Sequence, residues 1–287
     1  MGMNQPINYL NLKPGDKIDV SAWSKVDRQK KVGGEPRLED YLPNLKKLLS
    51  EQAEEINQDF ADFLDSEGKI NIVGADAEAH KYLVKTQEEA FSQETGKSVS
   101  DWQRDKEKNS ANLTEMALTV MLHKFLKEYF IVARSSSFDD YNHGVDQVLV
   151  YKPTGEVVCG IDEVIVNPSD KDGASKKVSK LENIMKRGGA RIQYGAKLQD
   201  GNLVRAEVRN IPAFYMSLSK AELGELLESL KNDKTNTSLV EEKIFLRLID
   251  SLEEQVKGLS LNEDLQAKTQ SALEKLRSCV PSKKLAA

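Results

Sequence analysis

The chain has 287 residues, of which 39% are hydrophobic and 30% are charged, and its formal net charge is −5 at pH 7. The length fits one large domain or two modest ones, and the composition is ordinary for a globular protein. The negative net charge argues against a uniformly basic nucleic-acid-binding protein. No apolar run approaches the roughly 18 residues that cross a bilayer, so no membrane-spanning helix is expected.

The N-terminus and the cysteines favour a reducing compartment. The first residues lack the basic segment and the apolar stretch of a secretory signal. Cys159 and Cys279 lie far apart, which provides no disulfide framework and no zinc-ligand spacing. We therefore expect a cytoplasmic protein.

Residues 1–110 are predicted to form an N-terminal arm and a helical region. Residues 1–40 have no sustained periodicity, whereas apolar residues recur every three or four positions over 41–64, which is typical of an amphipathic helix. A second helix is predicted over 76–93, and the charged stretch that leads to Asn109 could form a third.

Residues 111–218 have the pattern of an α/β core. A largely apolar helix is predicted over 112–130, where Asn112 and Glu115 have the spacing of a capping box. The polar stretch 133–143 is predicted to be a connection.

Two apolar runs follow within 144–164, and the turn residues at 152–155 predict that they pair as antiparallel strands. A helix is predicted over 174–187. The remaining predicted strands cover 190–198, 203–208 and 210–217, with a turn at Asp200 and Gly201.

Residues 219–287 are predicted to be a helical region packed on the core, with helices over 219–231, 238–257 and 261–277. Their apolar side chains, such as Phe245 and Leu248, could also form a homo-oligomer interface. The expected fold class is α/β, with a mixed central sheet flanked by helices and extended by N- and C-terminal helical segments.

Each of the two predicted core strands carries an aspartate among its apolar residues. Asp146 shares a face with Val148 and Val150, and Asp162 shares a face with Val164. If the strands pair, the two carboxylates can lie near each other, where a divalent cation would relieve their repulsion. The alternative is that each aspartate lies at a strand end and accepts ordinary hydrogen bonds.

This order of helix, strand with aspartate, strand with acid, helix and strand resembles the core of the PD-(D/E)XK nuclease-like superfamily, over roughly 112–217. The resemblance implies a restriction-endonuclease-like sheet and a nuclease that uses Mg²⁺ or Mn²⁺. It implies that Asp146 and Asp162 are catalytic metal ligands and that Glu115 is the helical glutamate that completes the site. The capping box accounts for Glu115 equally well.

The sequence departs from the superfamily at one position, because Asp162-Glu163-Val164 has valine where the motif has lysine. Some members carry this lysine on the following helix. There, Lys177 lies nearest the apolar side at about 100° per residue. We predict Lys177 as the relocated catalytic lysine, with an ordinary surface lysine as the alternative.

Basic residues are concentrated over 176–197, where five lysines and two arginines oppose one acid and give a local charge of +6 (7 − 1). Such a stripe can bind a phosphate backbone, although it could equally be a solvated helix face. The predicted substrate-binding residues are Lys176, Lys180, Lys186, Arg187 and Arg191.

The polar stretch before Asp146 offers further candidates. Asp139 or Asp140 could supply another metal ligand, and His143 could assist a proton transfer. An exposed polar turn is the alternative for each of them.

Two functions follow from this pattern. The first is a metal-dependent nuclease that hydrolyses DNA or RNA, with nucleic acid as its partner and no membrane association. The second is a catalytically inactive nuclease-like fold that acts as a binding or assembly module, which the valine at position 164 and the acidic net charge favour.

Overall fold

The computed structural model describes residues 37–60, 62–166, 171–199, 202–232, 236–257 and 259–280. Most of the predicted N-terminal arm lies outside the described residues, as does the predicted turn at Asp200 and Gly201. Within the described residues the fold is mixed α/β, with nine α-helices, a four-stranded mixed sheet and a two-stranded sheet. The coarse prediction of fold class is confirmed.

Helices occupy both ends of the described chain, and the strands lie between them. The helices are a 3₁₀ helix (Leu38–Tyr41), α1 (Leu42–Asp59), α2 (Ala77–Glu94), α3 (Val99–Lys108), α4 (Ser110–Leu126), α5 (Ser137–His143), α6 (Lys171–Lys186), α7 (Lys220–Asn232), α8 (Leu239–Val256) and α9 (Glu263–Ser278). The strands are β1 (Phe130–Arg134), β2 (Gln147–Tyr151), β3 (Glu156–Val166), β4 (Ala190–Gln199), β5 (Asn202–Ile211) and β6 (Ala213–Ser219).

The central sheet has the strand order β1-β2-β3-β6. The first three strands are antiparallel neighbours, and β6 pairs in parallel with β3. A parallel neighbour requires a crossover connection, which in this chain contains α6 and the β4–β5 hairpin. The antiparallel pairing of β2 with β3 confirms the predicted pairing of the two aspartate-bearing runs.

Alternating side chains of the sheet enter two apolar clusters, because successive residues of a strand point to opposite faces. Phe130, Val132 and Leu149 belong to the cluster that contains α4, α7 and α8. Ile131 and Val148 belong to the other cluster, which contains residues of α6 and the β4–β5 hairpin. The sheet therefore lies between two apolar layers.

The stretch 133–143 is not the polar connection that the sequence predicts. It contains the end of β1 and the whole of α5. Ser136 caps α5 by accepting a hydrogen bond from the backbone N–H of Asp139 at 3.0 Å, and Gly144 ends the helix in the left-handed conformation with φ 66°. The predicted helix 112–130 was also too long, because α4 ends at Leu126 and β1 follows.

The C-terminal helices pack against the sheet and α4. Phe245, Leu248 and Leu252 of α8 are completely buried within the chain, in the cluster that contains α4. Lys124 of α4 also pairs with the fully buried Glu241 of α8, with 2.6 Å between Nζ and Oε2. These three side chains are thus engaged inside the chain, and the homo-oligomer interface stays a prediction.

Candidate functional site

Four carboxylates from separate parts of the chain approach one another where β2 begins. Asp146 immediately precedes β2, Glu163 lies in β3, Glu115 in α4 and Asp140 in α5. Backbone hydrogen bonds fix Asp146 in place, because its N–H donates to the carbonyl of Ile161 at 2.9 Å and its carbonyl accepts from Ser135 at 2.8 Å. We call these four residues the carboxylate cluster.

Asp146 and Glu163 form the centre of the carboxylate cluster. The backbone N–H of Glu163 donates to Oδ2 of Asp146 at 3.0 Å. Burial raises the pKa of Glu163 well above its usual range, and the negative charges of Asp146 and Glu115 raise it further. Glu163 therefore favours its protonated form wherever no cation offsets these charges.

Glu115 belongs to a buried ion pair. Its Oε1 lies 2.7 Å from Nε of Arg134, whose side chain is only 2% exposed. Burial opposes ionisation of Glu115, but Arg134 and Lys69 outweigh it and lower the pKa of Glu115. The predicted capping-box role of Glu115 is wrong, since Asn109 caps α4 by accepting from the N–H of Asn112 at 2.8 Å.

Asp140 connects the carboxylate cluster to α3. Its Oδ2 lies 3.8 Å from Nζ of Lys106, which donates to the hydroxyl of Tyr141 at 2.6 Å. Burial, followed by the charges of Asp146 and Glu115, raises the pKa of Asp140 to about 7. Burial also lowers the pKa of Lys106, although Asp140 acts in the opposite direction.

Asp162 lies beside the carboxylate cluster. It is 5% exposed, and its side chain points to the face of β3 opposite that of Glu163, because neighbouring strand residues alternate. Its charge contributes less to the raised pKa of Glu163 than burial, Asp146 or Glu115. Its proposed metal-binding role stays a prediction.

The part of the chain that the structure describes contains no group of three or more histidine, cysteine or carboxylate side chains arranged to hold a metal ion. The donor set of Asp146 and Glu163 nevertheless fits Mg²⁺ or Mn²⁺, which prefer oxygen ligands. Mg²⁺ in particular commonly binds one or two protein carboxylates and completes its coordination with water and substrate phosphate. Glu115 fits less well as a ligand, because Arg134 already neutralises it.

The predicted basic residues occupy different surroundings. Lys180 lies against Gly144, two residues before Asp146, because a Cβ atom built on Gly144 would collide with Nζ of Lys180. Lys186 pairs with Glu182 at 3.5 Å, and Arg191 pairs with Glu207 at 2.8 Å.

Two of the predicted lysines cannot be compared with the site. Lys176 and Lys177 belong to α6, but their side chains lie outside the part that the structure describes. The role of Lys177 as a relocated lysine and that of Lys176 in substrate binding stay predictions.

Sequence reasoning missed Glu163, Arg134 and Lys106. By strand alternation Glu163 shares a face with Ile161 and Ile165, and a glutamate between two isoleucines on a buried face is a signal that the sequence carries. Arg134 and Lys106 gave no such signal, because they reach the site from positions far apart in the sequence.

Comparison of the chain with protein-family models, with curated proteins and with solved structures finds no match in any of the three. Among the described residues, no helix combines the length and the apolar character that crossing a membrane requires. A functional assignment therefore depends on the residues of the site themselves.

Proposed function

We propose that the protein is a metal-dependent nuclease of the PD-(D/E)XK-like type that hydrolyses phosphodiester bonds of DNA or RNA. The observation that carries the proposal is the placement of Asp146 immediately before β2 and of Glu163 in the adjacent antiparallel strand β3, where the backbone N–H of Glu163 donates to Oδ2 of Asp146 at 3.0 Å. The chain order α4, β1, α5, β2, β3, α6, β4, β5 and β6 includes the predicted succession of helix, paired strands, helix and strand, and this succession and the parallel pairing of β6 with β3 support the proposal.

Asp146 and Glu163 would hold Mg²⁺ or Mn²⁺ in this proposal. A bound divalent cation lowers the pKa of a water ligand and stabilises negative charge on a phosphate. The repulsion that raises the pKa of Glu163 would be relieved by the same cation.

Arg134 and Lys106 offset the negative charges of Glu115 and Asp140. Arg134 holds Glu115 ionised and fixed in α4, so Glu115 shapes the field at the site instead of supplying a free carboxylate. Lys106 faces Asp140 at 3.8 Å and can offset charge that develops near the cluster. Together they supply positive charge beside the carboxylates, which the motif's absent lysine would otherwise provide.

The proposal is tested by titration calorimetry of Mg²⁺ and Mn²⁺, with cleavage of mixed DNA and RNA followed in parallel. We expect Asp146→Asn and Glu163→Gln each to abolish both metal binding and cleavage. Glu51→Gln, on the exposed surface of α1, serves as the matched control and should retain both. Asp162→Asn decides between the two acids of β3. Loss of metal binding and cleavage in Asp162→Asn, with both retained in Glu163→Gln, would favour Asp162 as the metal ligand that the sequence predicts.

An inactive binding module is the second candidate, and the Arg134–Glu115 pair favours it. A carboxylate whose charge is neutralised by a buried arginine can have a purely structural role and needs no metal. Retained folding with no metal binding in the wild-type protein would support this candidate and rule out the nuclease.

A further inference from the structure

A cleft of about 580 Å³ lies between α5 and α6, next to the carboxylate cluster. Its described lining residues are Asn142, His143, Ser179, Lys180, Asn183, Ile184 and Arg187. Two of these side chains are cationic, one is an imidazole and three are neutral hydrogen-bonding groups. None of the lining residues that the structure describes is acidic, so this cleft differs in charge from the adjacent carboxylates.

A buried carboxylate fixes the orientation of His143 at the wall of the cleft. Asp139 is completely buried, and its Oδ1 lies 2.7 Å from Nδ1 of His143. Asp139 also accepts hydrogen bonds from the N–H groups of Gln193 and Tyr194 and from the hydroxyl of Ser136. Because both oxygens of Asp139 already accept hydrogen bonds, Nδ1–H of His143 is the donor and Asp139 the acceptor in this contact. Nε2 is therefore the ring nitrogen left for a ligand.

Lys180 connects the cleft to the carboxylate cluster. Its ammonium group lies against Gly144, which is separated from Asp146 by one residue. Arg187 lines the same cleft just beyond the C-terminal end of α6. Lys180 therefore lies where the cleft borders the stretch of chain that leads to Asp146.

We propose that the cleft between α5 and α6 binds a phosphate group of a nucleic-acid strand through Lys180, Arg187 and the Nε2–H of His143 in its imidazolium form, in which both ring nitrogens are donors. Arginine and lysine are the side chains that most often contact phosphates, and neutral polar groups such as Asn142 and Asn183 complete such contacts. Asp139 acts as a positioning residue that holds His143. The inference rests on the proposed nuclease function, because the strand that occupies the cleft would be the substrate.

The test measures binding in the absence of divalent metal, so that it is independent of catalysis. Fluorescence anisotropy in EDTA follows a labelled single-stranded oligonucleotide binding to the full chain, at several salt concentrations. The strand is used with a 5′-phosphate and with a 5′-hydroxyl, and inorganic phosphate serves as competitor. Lys180→Gln and Arg187→Gln are compared with Lys186→Gln on the same helix and with Lys47→Gln on α1, each of which removes one positive charge.

We expect Lys180→Gln and Arg187→Gln each to weaken binding about tenfold and to reduce the salt dependence by about one phosphate contact. Lys47→Gln should leave affinity unchanged. A preference for the 5′-phosphate would place a terminal phosphate in the cleft, and equal affinity would place an internal one, so both results support the proposal.

A second readout follows His143 directly. Addition of inorganic phosphate should shift the ¹⁵N resonance of Nε2 more than that of Nδ1, which stays bonded to Asp139. Equal losses of affinity in Lys180→Gln, Arg187→Gln and Lys186→Gln, with no shift at Nε2, would mean a diffuse basic surface and would overturn the proposal.

The two proposals fail separately. If the cleft binds the strand but no metal-dependent cleavage occurs, the nuclease assignment fails and the phosphate site remains. If cleavage requires Asp146 and Glu163 but the cleft variants bind normally, the phosphate site alone is wrong.

Discussion

The four carboxylates of the carboxylate cluster repel one another in a partly buried region. The charges around each one determine whether its pKa is raised or lowered. Glu115 has Arg134 as a close partner at 2.7 Å, whereas the ion pair of Asp140 with Lys106 is longer, with Nζ 3.8 Å from Oδ2. The same buried region therefore lowers the pKa of Glu115 and raises that of Asp140. Burial opposes ionisation of both acids, and the close arginine reverses this effect for Glu115 but no equally close cation does so for Asp140.

The raised pKa of Asp140 predicts how stability depends on pH in metal-free protein. In the folded protein Asp140 keeps its proton up to a pH of about 7, whereas in the unfolded chain it loses it near pH 4. Between these values the unfolded chain binds fewer protons, so the free energy of unfolding falls as the pH rises. Glu163 changes stability in the same direction, because its pKa is also raised.

Asp140→Asn should remove part of this pH dependence. We expect the loss of stability between pH 4 and pH 7 to shrink by on the order of 2 kcal/mol, measured by urea denaturation in EDTA. Asp264→Asn, on the exposed surface of α9, is the control and should leave the pH profile as it is in wild type. An unchanged profile in Asp140→Asn would mean that Asp140 is ionised in the folded protein.

The tautomer of His143 is a second prediction at this scale. Free neutral histidine favours a proton on Nε2, but the acceptor Asp139 requires the proton on Nδ1. We expect ¹⁵N–¹H correlation spectra of neutral His143 to show the Nδ1–H form. His80 offers a comparison within the chain, because its Nδ1 faces the hydroxyl of Tyr194 at 2.7 Å, which can donate or accept. An Nε2–H form at His143 would contradict the assigned hydrogen bond.

The junction of β2 and β3 depends on close packing at Gly160. A Cβ atom built there would lie 2.8 Å from Cγ1 of Val145, the residue before Asp146. Because Gly160 has no side chain, Val145 can pack directly against β3. This close contact fixes the position of the next residue, Asp146.

Gly160→Ala should push Val145 away and destabilise the fold. We expect a loss of roughly 1–3 kcal/mol in the free energy of unfolding, which is typical when a methyl group enters a packed core. Val145→Ala/Gly160→Ala should recover part of this loss relative to the sum of the two single variants, since the shorter side chain makes room. Additive losses in the double variant would contradict a steric conflict between these two positions.

The elements differ in how far the sequence could predict them. β2 and β3 were predictable, because two apolar runs flank a turn that contains Pro153 and Gly155. β1 was not, because the helical spacing of apolar residues in α4 continues from Leu126 to Phe130, and both a buried helix and a buried strand are apolar. The short helix α5 depends on its cap at Ser136 instead of on any apolar periodicity.

The candidate site was only partly predictable for a related reason. Asp146 is an acid on an apolar strand, so the sequence marks it. The choice between Asp162 and Glu163 depends on which face of β3 meets α4, and this is a property of the folded sheet. The contacts of Glu115 with Arg134 and of Asp140 with Lys106 likewise form only when distant segments pack together.

At the scale of the whole molecule, α4 joins the sheet to the C-terminal helices. It contacts α1, β1, β3, α7 and α8, and it carries both Glu115 of the carboxylate cluster and Lys124 of the buried pair with Glu241. The α/β core and the C-terminal helical region therefore share one apolar cluster. We expect them to unfold in a single cooperative step.

Substitution in α8 tests this cooperativity. Phe245 is completely buried and stacks on Phe125 of α4 with ring centroids 4.3 Å apart. Phe245→Ala should lower the free energy of unfolding by roughly 3–5 kcal/mol, whereas Leu239→Ala, at a position 84% exposed in the same helix, should change it by less than about 0.5 kcal/mol.

The shape of the transition distinguishes one cooperative unit from two. Calorimetry should give one transition for wild type and for both variants, with the midpoint of Phe245→Ala lowered. The fluorescence of Trp102, on α3 beside the carboxylate cluster, is isolated in a Trp23→Phe background, because the chain has two tryptophans. It should change at that same lowered temperature, because loss of the α8 contact weakens α4 and every element packed on it. A fluorescence change that keeps its wild-type midpoint while the helical signal of α8 is lost earlier would mean that the C-terminal helices fold as a separate unit.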